Sequence, residues 1–394
     1  MELAERGGSV LRTTFTALNG LRIFAALVVV SFHYGTLIDT FQGFPRFLQH
    51  IADNGAIGLP FFYILSGFVL THACHGRGPN EEGKKAEFYT ARFARLFPAY
   101  LLSFLLFLPM AAEKFLWHPL APQHRDVHTF VWSGVLTLFA VQAWTPVSQA
   151  WNGPAWSLSV EVFFYFLFPF VLPKIIRMRP TRLVLLLGTL WLGMISLTIA
   201  HELNVILPES WDRYFMHQPL FWLPTFLIGI ATYRLAARWR WAPNGWATAV
   251  SVSSLSLLVL LAGWLPPERG DFLVNGGAAP LIAVIVLAFS HPRCLSSRLM
   301  GSRVLSFLGG ASYGIYILQD PIWHIWKVAS DTLRHVGSHN TATCWQFLIY
   351  LALLGGIAIL VQQTLERPAQ RWLWQRRATL VAAMGRQPNR EVAA

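Results

Sequence analysis

The sequence predicts an all-α protein that crosses a membrane about ten times, and three observations carry that expectation. Of its 394 residues, 54% are hydrophobic and only 13% are charged, where a soluble protein carries about 25% charged residues. Eleven apolar segments recur, at 18–38, 57–74, 96–112, 130–144, 155–173, 183–200, 219–237, 246–265, 277–290, 304–326 and 344–365. The connections between them alternate between basic and weakly charged stretches, as cytoplasmic and external loops do.

The first segment, Leu18–Ile38, has about the length a bilayer demands. Residues Met1–Ala17 before it are mixed in charge, and no small-residue cleavage site follows it. It therefore reads as a retained span rather than a removed signal peptide. The fourth segment, 130–144, is too short at 1.5 Å per residue to cross. With that segment assigned as a re-entrant or interfacial helix, ten spans remain and both termini fall in the cytoplasm. The basic connections 77–95, 174–182, 234–240 and 293–303, with the tail from Arg367, then lie on one side. On this topology 23 of the 31 Lys and Arg are cytoplasmic, seven are external, and Arg22 is in the membrane. The net charge of +12 is thus topological and asks for no nucleic acid. Cys74, Cys294 and Cys344 show no metal or redox spacing, so neither a metal site nor a disulfide framework is expected. No internal repeat stands out, and the chain reads as one domain with a basic tail at 366–394.

Polar residues inside such segments point to function, because charge in hydrocarbon is costly. Arg22 and His33 interrupt the first span. Eleven residues of ideal helix place them within about 20° of one face and about 16 Å apart along the axis. Insertion of an Arg near a helix centre costs about 2.5–3.5 kcal/mol, so the pair is expected to face a protein-lined cavity. The competing reading has Arg22 snorkelling to headgroups and His33 satisfied in the core. Ser66, beside Gly67 in the second span, allows close helix approach, and packing alone also accounts for it. Arg92 and Arg95 share a helix face and suit bidentate grip of phosphate; a positive-inside anchor is the alternative. Glu161 lies several residues inside an apolar helix, where an unpaired carboxylate is costly. It could pair with Arg22, orient His33, or form a structural ion pair. In 307–323 the polar residues Ser312, Tyr313, Gln319 and Asp320 are dense enough to line a cavity or bond between helices.

These elements in this order resemble the acyltransferase-3 family of integral membrane O-acyltransferases. The resemblance rests on Arg22 and His33 with ten residues between them, and on Phe61, Phe62 and Ser66–Phe68. It rests further on Arg92-x-x-Arg95, Trp156–Glu161, Ser312–Tyr316 and Glu366–Pro368. Two positions depart from the commoner pattern: Pro60 replaces an acidic residue, and Gln319 replaces a His. Many relatives also carry a soluble outer domain; none is recognised in this sequence, so transfer is expected to finish within the membrane domain.

The resemblance implies a multi-pass protein of the cell membrane, a bacterial inner membrane being expected. The implied reaction moves an acyl group, acetyl above all, from acyl-CoA to a hydroxyl of a cell-surface glycan or its lipid-linked precursor. Acyl-CoA enters as a co-substrate from the cytoplasm, and no bound cofactor is expected. His33 is the expected general base, Arg22 the electrostatic partner, Glu161 the carboxylate supporting either, and Arg92 with Arg95 the donor's phosphate grip. Ser66, Asn152, Trp156, Ser157, Ser312, Tyr313, Tyr316 and Gln319 are expected to line the cavity or bind the acceptor. O-acylation of a small molecule of macrolide type or a lipid headgroup is the alternative within this chemistry. A transporter is the alternative outside it, and would show paired discontinuous helices.

Overall fold

The structure, a computed structural model, describes residues 2–35, 41, 43–74, 82–117, 126–203, 216–336, 343–373 and 375. The expected end of the first span, Arg77 of the first basic connection and the tail beyond 375 lie outside the described residues. Among those described there is no strand. The long helices begin with α1 (Glu2–Val30), which passes into a wider π turn at Ser31–Gly35. A short α2 (Arg46–Asp53) leads to α3 (Gly58–Cys74) and α4 (Glu82–Ala112). Next come α5 (Val127–Leu138), α6 (Trp156–Arg177), α7 (Pro180–Glu202), α8 (Pro219–Trp239) and α9 (Asn244–Trp264). The last are α10 (Ala279–Phe289), α11 (Leu295–Met300), α12 (Arg303–Gly310), α13 (Ser312–Val336) and α14 (Thr343–Val361).

Eight helices are long and apolar enough to cross a membrane among the described residues, and a bent pair makes a ninth. Helix α13, at 25 residues, is also long enough, although Gln319, Asp320 and His324 lower its apolarity. The protein is an all-α polytopic membrane protein. Segment 130–144 is represented by α5, a 12-residue helix about 18 Å long. Its N-cap is Asp126, whose carboxylate accepts from Thr129 N–H at 2.9 Å. Hydrogen bonds from Thr129, first from its side chain and then its backbone, hold that carboxyl below its ordinary value.

One segment expected to be a single helix is broken, and another is extended by a bent turn. Segment 304–326 divides at Ala311 into α12 and α13. A side chain at Gly309 would meet the backbone oxygen of Asn19 at 1.8 Å, so α12 is pressed onto α1. Segment 277–290 is preceded by the apolar turn Gly270–Gly277, and the two parts meet at 61°. Gly276 sits at the bend with a φ of +117°, a conformation glycine adopts without steric cost.

The expected close approach at Gly67 is present. A Cβ there would lie 2.3 Å from Phe226 O, and one at Gly229 would lie 2.0 Å from Ile64 O. Helices α3 and α8 therefore cross backbone to backbone, the small-residue geometry of membrane helices. Aromatic packing surrounds that crossing: Tyr63 meets Trp222 with ring centroids 5.3 Å apart, and Phe164 stacks on Phe226 at 4.6 Å. The span over Gly55–Cys74 is 72% buried and that over Gly153–Arg177 is 61%, while those of α7 and α9 are 22%. The inner helices can therefore shelter polar groups, and α7 and α9 present themselves chiefly to lipid.

Candidate active site

Helix α13 runs in the same direction as α1 and α4, which sorts the polar residues into two layers. Tyr313 OH donates to Leu96 O at 2.8 Å, and Ser103 Oγ donates to Ile317 O at 2.9 Å further along. Tyr34 OH reaches Asp320 on the same course. The lower layer thus holds Arg22, Arg95 and Tyr313; the upper layer holds His33, Tyr34 and Asp320.

The lower layer is a cleft with about 580 Å³ of space unfilled by atoms, its open mouth included. Arg22, Arg95, Glu161, Ser157, Ser312, Tyr313 and Tyr316 all line it, with Leu59, Phe62, Tyr63, Leu96 and Leu158. Seven of the predicted site residues therefore converge from four helices. Arg92 stands behind them, its guanidinium 5.8 Å from the Phe88 ring. The Nε atoms of Arg22 and Arg92 are buried without a hydrogen-bond partner among the described residues. The charges of Arg92, Arg95 and Glu161 all reach Arg22. Ser66 Oγ–H donates to Glu161 Oε1 at 3.3 Å, and Tyr165 OH donates a short hydrogen bond to the same oxygen. Ser157 and Tyr316 hydroxyls lie 2.6 Å apart, and the Tyr316 ring meets Phe62 edge-on at 6.0 Å.

Two guanidinium groups on the cleft wall and a third behind it, with so little carboxylate, make an anion-binding arrangement. Arg fits phosphate bidentately, and a buried N–H without an acceptor is costly until one arrives. A further carboxylate borders the layer. Glu366, in the Glu366–Pro368 motif, is buried with Oε1 unpartnered among the described residues, and its charge acts with that of Arg95.

The upper layer is bonded differently. His33 lies in the π turn, not on ideal α-helix, so the 100° step behind the predicted alignment does not hold through it. Accordingly Arg22 lines the cleft and His33 does not. His33 packs its ring against Phe32 at 5.1 Å and Tyr34 at 6.0 Å between centroids. The carboxylate whose charge reaches His33 is Asp320. Glu161 belongs to the lower layer, which settles it beside Arg22 rather than against the imidazole. Asp320 accepts from Tyr34 OH at 2.9 Å and from Gly153 N–H at 2.8 Å. One turn on, His324 Nδ1 lies 3.3 Å from Asp320 Oδ1.

Three expected cavity residues serve the frame instead. Asn152 donates through Nδ2 to Ser103 Oγ at 2.6 Å and Ile317 O at 2.8 Å, locking the loop before α6 to α4 and α13. Trp156 stacks on His217 with centroids 4.1 Å apart. Gln319 is fully buried; its side-chain Nε2 donates to Tyr316 O at 2.8 Å, and its backbone O accepts from Tyr350 OH at 2.9 Å. Tyr165, Tyr34, His324 and Glu366 were not among the expected site residues. Two carried a spacing signal: Tyr165 follows Glu161 by four, and His324 follows Asp320 by four, each pair on one helix face.

An acyltransferase family model, described as an acyltransferase domain, matches residues 15–362, the stretch that holds both layers. The chain belongs to the acyltransferase-3 family. Among relatives of the family, Acyltransferase MdmB of Streptomyces mycarofaciens is 25% identical over 381 residues, 93% of this chain and 94% of its own length. O-acetyltransferase OatA of Staphylococcus aureus is 23% identical over 333 residues, 77% of this chain and 50% of that protein. "Putative peptidoglycan O-acetyltransferase YrhL" of Bacillus subtilis is 24% identical over 380 residues, 89% of this chain and 54% of its own. The chain thus spans about half the length of these last two. No solved structure matches it. As a member of this family, the protein is a multi-pass membrane O-acyltransferase.

Proposed function

We propose that the protein transfers acetyl from acetyl-CoA to a hydroxyl of a cell-envelope glycan or its lipid-linked precursor. The observation that carries the donor half is the lower cleft, lined by Arg22 and Arg95 with Arg92 behind them, where Nε of Arg22 and of Arg92 is buried without an acceptor among the described residues. A phosphate-bearing donor supplies the missing acceptors. On this reading Arg92 and Arg95 hold the phosphates from the cytoplasmic side. The pantetheine arm passes Phe62 and Tyr316, and the thioester reaches the level of His33, further along the first span than Arg22.

His33 takes the acceptor hydroxyl's proton as general base, a role suited to imidazole near neutral pH. Arg22, with Glu161 beside it, supplies positive charge in a water-poor site, where such charge acts strongly. The acceptor half rests on relatives whose names state O-acetyltransferase and peptidoglycan activity.

The test is purified protein with acetyl-labelled acetyl-CoA and lipid-linked or polymeric glycan, read by mass spectrometry of the glycan. A gain of about 42 Da per modified sugar (one acetyl replacing one hydrogen), lost in His33→Ala, is the expected result. Transfer that persists at the wild-type rate in His33→Ala would remove the base assignment. Labelled product found only on a small molecule would remove the glycan.

A further inference from the structure

Asp320 lies at the centre of the upper layer and is occupied from three sides. Tyr34 OH and Gly153 N–H donate to its two oxygens at 2.9 and 2.8 Å, and His324 Nδ1, 3.0 Å from the Asp320 backbone O, lies 3.3 Å from Oδ1. These partners come from the π turn after α1, the loop before α6, and the next turn of α13. These contacts fix the position of Asp320, and the residue preceding Tyr34 is His33 itself. The other titratable groups here are Tyr350 on α14 and Lys114 beyond α4, both of which feel Asp320, and Lys327, which feels His324. Glu161 cannot serve in its place. It lies a layer below, with Oε1 engaged by Ser66 and Tyr165.

We propose that Asp320 is the positioning residue of His33, a fixed negative charge that stabilises the imidazolium formed during acyl transfer. This rests on His33 being the general base. As the acceptor O–H bond breaks, its proton passes to His33 and the oxygen bonds to the thioester carbonyl carbon. The C–S bond then breaks, and the proton leaves His33 for the CoA sulfur, giving ester and free thiol. Asp320 takes no proton at any step. It acts on His33 through its charge and through Tyr34, the adjoining residue, whose hydroxyl it holds at 2.9 Å. His324, its side chain 44% exposed, completes the hold on the carboxylate from the side away from Tyr34.

The experiment is the pH–rate profile of Asp320→Asn in the full-length protein, with Asp320→Glu and His33→Ala in parallel. Removing the negative charge makes the imidazolium harder to form. The expected result for Asp320→Asn is a kcat reduced about tenfold or more, unchanged KM for acetyl-CoA, and an acid limb moved about one pH unit lower. Asp320→Glu keeps the charge and is expected to keep the wild-type acid limb. A folded Asp320→Asn with reduced rate and an unmoved limb would show a merely structural residue and overturn the proposal. If Asp320→Asn does not fold, an acid limb displaced in Asp320→Glu overturns it and a wild-type limb supports it. Wild-type turnover in His33→Ala is a separate failure, that of the base assignment on which this inference stands.

Discussion

The two polar layers are built on opposite plans. In the lower layer Arg22 and Arg95 line an open cleft with Arg92 behind them, and Nε of Arg22 and Arg92 and Oε1 of Glu366 are unpartnered among the described residues. In the upper layer Asp320 accepts from three donors, and Tyr34 packs its ring on Trp323 at 5.0 Å and Tyr350 at 5.7 Å. Unmet guanidinium donors are costly to maintain and are expected where a ligand completes the set. A carboxylate held from three sides is expected where geometry must not change during chemistry. The contrast assigns ligand capture to the lower layer and proton handling to the upper.

The harshest way to break the comparison is to remove the frame that holds both layers. Gly229→Leu places a branched side chain where a Cβ already meets Ile64 O at 2.0 Å. Because α3 and α8 cross there, the variant is expected to yield no monodisperse protein in detergent, as size-exclusion chromatography would read. Recovery of folded, active Gly229→Leu would show that the crossing is not what sets the site.

Next in size, Arg95→Ala is expected to raise the KM for acetyl-CoA about 10- to 100-fold, since a hydrogen bond to a charged group is worth about 1.5–3 kcal/mol. Its pH–rate profile should stay that of the wild type, because Arg95 does not belong to the upper layer. The smallest effect is expected at Glu366. Replacement by Gln removes a negative charge near Arg95 and should lower the KM for the donor about two- to fivefold, an energy of about 1 kcal/mol or less. A rise in KM would show instead that Glu366 holds Arg95 in place.

Much of this was legible in the chain. Composition and segment spacing sufficed for a helical membrane protein, because the bilayer allows so few spanning structures. Arg22, Arg95 and Glu161 were legible because each is expensive in an apolar helix, and the structure does bring them to one cleft. The alignment of His33 with Arg22 was not. It assumed an unbroken α-helix, and a π turn at Ser31–Gly35 is invisible to a periodicity of 3.6. The break at Ala311 was equally hidden, since the apolar run of 304–326 continues through it. Asp320 was visible as a polar residue, but its partner Tyr34 is 286 positions away. Asn152 and Trp156 were expected from the family resemblance and Gln319 from the polar residues around it; here Asn152 and Gln319 bond helices together and Trp156 stacks on His217.

The division of labour is tested most directly by measuring acetyl-CoA binding and turnover in the same preparation of His33→Ala. The account predicts donor affinity within about threefold of the wild type, with turnover down about 10²- to 10⁴-fold, the contribution of a general base. Turnover near the wild-type value, or loss of donor binding in step with loss of turnover, would contradict it.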